Sequence, residues 1–451
     1  MPAIHSAVAA TRRCLDNITR FNPTLNAFIT VMADEALAEA AKIDAAQERG
    51  QWPGLLAGMP VSIKDCIDVA GVRCTNGSLF FRDYVPNADA PVVQRLRQAG
   101  AVIVGKTNLH EFCYGSTSQN PHYGRVRNAW DPARIPSGSS GGAAAALAAE
   151  MCVGAVGSDT GGSVRTPAAV NGVSALRPTL GAIPMSGSKL QLCPLIDTVG
   201  PMARSVADLA RMFAVMAFYD DEDTSSIPHR WDDILARLDH GIAGLRIGLP
   251  SNYFFDDLAP GFGEAVRAAA EQLRGLGAVL SEIHLEGAEE AHGRMMPIVW
   301  ADLYAFHRER AERQPELFGE DVLARVLLGR EVSGEDYAKA MRWRETWLRT
   351  IDRALSEVDA ILTPTTPVPA PLIADAANML ATTHKLTRFT FPFSWVGVPG
   401  LAIPCGFTAD GLPIGMQLHG RRWQEGLLLR IGAAYQAATD WHRRRPPLLN
   451  A

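Results

Sequence analysis

Apolar residues recur at helical spacing through an Ala- and Glu-rich stretch at 31–48, and residues 1–50 as a whole read as helical. The segment Gly58-Met59-Pro60-Val61-Ser62-Ile63-Lys64-Asp65 then reads as a short strand that delivers Lys64 at its end. Residues 91–100 predict a helix, with Pro91 near its start and Gly100 as its stop. The unbroken apolar run Ala101-Val102-Ile103-Val104 predicts a buried strand. An alanine-rich helix is expected over 143–151 and a short strand over 152–156. A strand at 245–249, a helix at 263–276 and a strand at 278–283 continue the alternation. The segment 289–350 is mostly helical and polar, which suits an outer layer. Strands return at 360–364, 401–404 and 414–418, the last after the turn Gly411-Leu412-Pro413. Helices alternating with strands give an α/β class. No internal repeat and no long linker interrupts the chain, so one domain over 1–451 is expected, with the mostly helical segment near 289–350 as its outer layer.

Composition narrows the class. The chain has 451 residues, 47% of them hydrophobic and 20% charged, which is globular rather than disordered. Its formal charge of -5 lacks the basic stripe of a nucleic-acid-binding surface, and Arg443-Arg444-Arg445 reads as a solvated tail. The seven cysteines, Cys14, Cys66, Cys74, Cys113, Cys152, Cys193 and Cys405, show no C-x-x-C spacing, which predicts reduced thiols and a cytoplasmic protein. The N-terminus carries no charged-then-apolar leader pattern, and the longest apolar stretch is too short to span a bilayer.

Two local motifs compete for chemistry. Gly100-Ala101-Val102-Ile103-Val104-Gly105-Lys106-Thr107 fits the phosphate-loop pattern letter for letter, but a helix precedes it and its middle is β-prone. Gly138-Ser139-Ser140-Gly141-Gly142 fits the nucleophile elbow G-x-S-x-G, yet the two prolines of 128–136 do not make a leading strand. His384 and His419 are candidate partners for such an elbow without a distinguishing context. No His/Cys cluster has metal-ligand spacing, so no metal and no cofactor are expected.

Two glycine-serine loops remain, Ser137-Gly138-Ser139-Ser140-Gly141-Gly142 and Ser158-Asp159-Thr160-Gly161-Gly162-Ser163-Val164-Arg165. Both are short and flanked by apolar runs, unlike flexible linkers. Glycine lets backbone N–H groups turn toward a ligand, and serine beside them can face an oxyanion site as a nucleophile. Lys64, Ser139 and Ser163 can form one relay, because a serine needs a base and a desolvated lysine can be that base when neutral. On those residues alone, an ion pair of Lys64 with Asp65 is the competing account.

The joint pattern resembles the amidase signature family of serine hydrolases. The matching pieces are the Gly58 to Asp65 segment, Gly105-Lys106-Thr107-Asn108 with Glu111-Phe112, both glycine-serine loops, Leu176-Arg177-Pro178-Thr179-Leu180-Gly181, Gly200-Pro201-Met202-Ala203-Arg204 and Val398-Pro399-Gly400-Leu401-Ala402-Ile403-Pro404. The resemblance implies a single large mixed β-sheet covered by helices on both faces. It implies Ser163 as nucleophile, Lys64 as ultimate base, and Ser139, on a cis peptide bond, as the bridge. It implies an oxyanion hole from the N–H groups of Thr160, Gly161, Gly162 and Ser163, with Ser140, Asp159 and Arg165 holding the loops. Cys113 and Tyr114 match positions that line the acyl pocket, and Phe393-Ser394-Trp395 stands in the pocket-shaping segment where many members carry Asn, which makes Trp395 a candidate substrate contact.

The implied reaction is hydrolysis of a small linear amide to a carboxylate and ammonia or an amine. Residues 244–258 look like the branch containing indoleacetamide and mandelamide hydrolases, which favours an arylalkyl amide. The alternatives are a carboxylated-urea hydrolase and a glutaminase-type subunit of a tRNA-dependent transamidating complex. A scaffold without catalysis is disfavoured by the presence of all three relay residues. The expected partners are a small-molecule amide and at most a second copy of the chain, with no nucleic acid and no membrane.

Overall fold

The computed structural model describes residues 6–189 and 192–450, so residues 1–5, 190–191 and 451 of the expected 1–451 domain lie outside it. An 11-stranded mixed sheet organises these residues. Its spatial order is Phe28–Val31, Val102–Thr107, Pro60–Lys64, Gly154–Asp159, Thr198–Ala203, Ser174–Arg177, Gly400–Phe407, Pro413–His419, Ala360–Pro364, Arg246–Pro250 and Val279–Ile283. Pro60–Lys64 runs parallel to both its neighbours, so Lys64 ends level with Thr107 and close to the end of Gly154–Asp159.

Side chains alternate across the sheet, and each face has its own core. Val61, Ile63, Ile103 and Val156 pack with the helices Pro91–Gln98 and Val206–Met216. Val102, Val104 and Ala155 pack on the other face with Ala7–Leu25, Ala33–Glu48 and Gly141–Ala148. The helix Gly141–Ala148 is buried along its whole length, which its Gly and Ala content permits. A Cβ on Gly142 would meet the backbone carbonyl oxygens of Asn108 and Ala27.

Two departures from the sequence pattern have physical causes. The helical stretch expected over 1–50 breaks at Asn26, whose φ of 50° is left-handed and caps Ala7–Leu25. The β-branched residues Ile29, Thr30 and Val31 then pair with Val102–Thr107 before the second helix begins. Thr198–Ala203 forms a central strand despite containing Gly200 and Pro201, with Pro201 opposite Val156. The phosphate-loop look-alike resolves as strand: Gly105, Lys106 and Thr107 belong to Val102–Thr107, and Lys106 is fully buried. Segment 289–350 forms the helices Ala291–Arg313, Glu320–Leu327 and most of Gly334–Glu357.

Candidate active site

Lys64 is fully buried at the end of its strand. Its amine donates to Ser139 Oγ at 2.6 Å and to Ser158 Oγ at 2.8 Å. The competing partner is engaged elsewhere: Asp65 pairs with Lys106 at 3.0 Å and accepts from the Thr75 backbone N–H at 2.9 Å. Lys64 therefore makes no ion pair among the described residues, and its contacts are hydroxyls.

Ser139 follows a cis Gly138–Ser139 peptide bond. Its carbonyl accepts from His110 N–H at 3.2 Å and Ser118 Oγ at 3.3 Å. Ser140 ties the two loops together, its hydroxyl donating to Ser158 O at 3.2 Å and accepting from Ser158 N–H at 3.3 Å.

Ser163 sits between the strand Gly154–Asp159 and the helix Arg165–Asn171, only 8% exposed, and lines a cavity of about 500 Å3 with Thr160 and Gly161. Its hydroxyl makes no hydrogen bond among the described residues, so the structure joins two of the three expected relay members and leaves the third open to the cavity. The backbone N–H groups of Thr160, Gly161, Gly162 and Ser163 likewise meet no acceptor among the described residues. Gly162 has φ of 140°, a backbone that L side chains rarely adopt.

The loop is clamped from behind. Asp159 pairs with Arg165 at 2.9 Å and Arg177 at 3.0 Å, all three fully buried. Burial alone would raise the Asp159 carboxyl, but the two guanidinium groups outweigh it and hold it well below the usual carboxylate range. Arg165 also donates to Thr390 O at 3.0 Å and Ser394 Oγ at 2.7 Å, while Thr390 Oγ1 donates to Gly161 O at 2.6 Å. Thr160 Oγ1 donates to Asp197 at 2.6 Å, and burial pushes the Asp197 carboxyl up to about 6 despite this bond.

Cys113 and Tyr114 line the cavity. Burial pushes the Cys113 thiol up, but its hydrogen bond with Cys66, the adjacent Lys64 amine and Ser158 outweigh burial and lower it to about 6. Trp395 lies outside the lining: it is fully buried behind Phe391, with ring centroids 5.5 Å apart, and Phe391 is the residue that faces the cavity. Sequence reasoning passed over Ser158, Phe391, His292 and Arg325. Ser158 lies inside the second loop and was within reach, as a hydroxyl one residue before Asp159. Phe391 stands two residues before the pocket-shaping segment Phe393-Ser394-Trp395, whereas His292 and Arg325 come from distant helices with no local signature.

The Amidase family pattern matches residues 9–429. The chain belongs to the amidase family. It is 39% identical, over 99% of its length and 96% of the relative, to a glutamyl-tRNA(Gln) amidotransferase subunit of Chloroflexus aggregans. Among solved structures it superposes on one from an unexpected vestigial protein complex that reveals the origins of an s-triazine catabolic enzyme (TM-score 0.91, 34% identity, 96% and 95% of the two chains). It also superposes on the peptide amidase PAM in complex with the competitive inhibitor chymostatin (TM-score 0.82, 32% identity, 98% and 96%). This amidase is thus a hydrolase of carbon–nitrogen bonds with the mixed-sheet fold of its family. The expected partner set is overturned by the same findings. The Chloroflexus relative is by name one component of an amidotransferase tied to a glutamyl-tRNA, so a small amide as sole partner, with nucleic acid excluded, does not stand. Net charge misled here, because -5 summed over 451 residues describes no particular surface. No helix among the described residues is long and apolar enough to cross a membrane.

Proposed function

We propose that this amidase releases ammonia from a carboxamide through an acyl-enzyme on Ser163, as the amide-cleaving component of a larger assembly. The observation that carries the chemistry is the buried 2.6 Å contact between Lys64 and Ser139 beside a free serine hydroxyl and four free N–H groups. Ser163 Oγ attacks the amide carbon while its proton passes to Ser139 and that of Ser139 to the unprotonated amine of Lys64. The N–H groups of residues 160–163 hold the developing oxyanion, each such donor being worth about 3 kcal/mol. The proton returns by the same path to the departing nitrogen, which leaves as ammonia. Water then attacks the ester carbon with the same relay as base, and the carboxylate leaves. Membership of an assembly is supported by the name of the Chloroflexus relative, a subunit of an amidotransferase, and a glutamine-type donor is the glutaminase-type alternative. The sheet running through residues 28–419 supports one domain, and seven buried free cysteines support a cytoplasmic setting.

A second reading has a specific observation in its favour. The cavity lining contains no Asp or Glu among the described residues, so the α-ammonium of glutamine would meet no counter-charge there. Its cationic lining group, Arg325, lies over the Tyr114 ring at 4.3 Å and is already paired with Asp321 at 2.8 Å. That lining suits a neutral amide with an apolar body. Ammonia release from glutamine and phenylacetamide, measured on the purified chain, separates the two readings. Ser163→Ala is expected to abolish turnover of whichever is cleaved, and a fluorophosphonate is expected to label Ser163. Undiminished turnover by Ser163→Ala overturns the proposal.

A further inference from the structure

A second cavity, of about 420 Å3, shares no lining residue with the catalytic one. It is built where the segment between the helix Val206–Met216 and the strand Arg246–Pro250 runs without helix or strand past the start of the helix Glu425–Ala437. Its walls carry Trp231 and Trp423, and the His229 ring stacks on Trp423 at 4.5 Å and 16°. Trp423 holds a left-handed φ of 68°, and its N–H is tied to Thr179 Oγ1 at 2.8 Å. An indole fixed in such a backbone is positioned rather than left to pack at random.

The charge of the cavity opposes that of the molecule. Arg230, Arg237 and Arg430 line it, and the acid among its lining residues, Asp232, is paired with Arg237 at 2.7 Å. The Nε of Arg430 is buried without a hydrogen-bond partner. Gln424 and Gly426, also in the lining, belong to the first turn of Glu425–Ala437, the positive end of a helix dipole. The Glu425 carboxylate is turned away from it, accepting the Thr179 N–H at 2.7 Å.

Flat aromatic walls together with unneutralised guanidinium groups and a helix N-terminus select a ligand that is planar at one end and anionic at the other. We propose that this cavity binds a nucleotide, the base held against the Trp231 indole beside the stacked His229 and Trp423 rings and the phosphate held by Arg430 and Arg230. The nucleotide is either free or an unpaired residue of an RNA strand.

Equilibrium dialysis of the full chain against labelled AMP tests the site, with adenosine, inorganic phosphate and a single-stranded RNA trinucleotide as competitors. Saturable AMP binding is expected, with adenosine and phosphate each competing at least tenfold more weakly than AMP. Arg430→Met and Trp231→Ala are each expected to weaken binding about tenfold, the scale of one charge-assisted hydrogen bond or one base stack. Unaltered thermal unfolding checks that these variants fold. Arg230→Ala, at an exposed side chain, gives an arm independent of folding and is expected to weaken AMP as well. Competition by the trinucleotide stronger than by AMP assigns the site to RNA, and weaker competition assigns it to the free nucleotide. Absence of saturable AMP binding overturns the proposal, as does binding that all three substitutions leave unchanged.

Discussion

Two hydroxyls hold the amine of Lys64, and in the proposed relay Ser158 is the one that no proton needs to cross. It accepts from Lys64 at 2.8 Å and donates to Cys113 Sγ at 3.7 Å, so it fixes where the amine points. Ser158→Ala removes one of the two acceptors from a fully buried amine. The expected result is a fall in kcat of about tenfold, the worth of a hydrogen bond to a charged or strongly polar buried group, with KM little changed because Ser158 does not line the cavity. Steady-state kinetics on a cleaved amide checks this, and an unchanged kcat would show that Ser139 alone orients the amine. Gly161 presents a different constraint. A Cβ there would run into the Phe391 ring, which itself lines the cavity. Gly161→Ala is expected to cost about 1–3 kcal/mol by overpacking and to disturb kcat and KM together, read from thermal unfolding and kinetics on the same preparation.

At the scale of elements, the strand Gly154–Asp159 and the helix Arg165–Asn171 are joined by the loop bearing Ser163, and Asp159 is the pin between them. It is shared by Arg165 and Arg177, which come from that helix and from the strand Ser174–Arg177. Replacing Asp159 by Asn leaves two buried guanidinium groups without the carboxylate they share. Removal of one partner from a buried ion cluster costs about 3–5 kcal/mol, so Asp159→Asn is expected to lower the urea midpoint sharply. A midpoint within error of the parent would show that water or Ser394 compensates. The pieces of this arrangement were unevenly readable in the sequence. The strand that ends at Lys64 and the two glycine-serine loops announce themselves, because apolar runs and glycine clusters are local signals. Thr198–Ala203 did not, since Gly200 and Pro201 argue against a central strand and the pairing that overrides them comes from Gly154–Asp159. Trp395 was drawn from the right segment, but the short helix Phe391–Ser394 turns Phe391 to the cavity and leaves Trp395 packed behind it. Arg325 and His292 reach the cavity from helices that carry no motif, and only tertiary packing brings them there.

Over the whole molecule, burial has set two groups of titrating side chains against one another. Burial lowers His292 and His307 from 6.5 to about 3, while it raises Asp197 from 3.8 and Glu425 from 4.5 to about 6. For the histidines, folded and unfolded chains are alike above pH 6.5. Below it the unfolded chain takes a proton that the folded chain refuses, so stability is lost as pH falls toward 3. For the two carboxyls the sign is opposite: as pH falls through about 6 the folded chain takes the proton first, and stability rises until the unfolded values are reached. The net slope hides both contributions, and a single substitution exposes one of them. His307 lies outside the lining of the Ser163 cavity, with its ring 4.3 Å from that of Phe112. In His307→Leu the penalty on that imidazole disappears, whatever the leucine costs in packing at every pH. From pH 6.5 down to pH 5 the histidine loses about 2 kcal/mol, at 1.36 kcal/mol for each unit. The stability of the variant relative to the parent is therefore expected to improve by about that amount between pH 7 and pH 5. Urea unfolding at the two pH values measures it. A relative stability that does not move with pH would mean that His307 titrates in the folded chain as it does in the unfolded one.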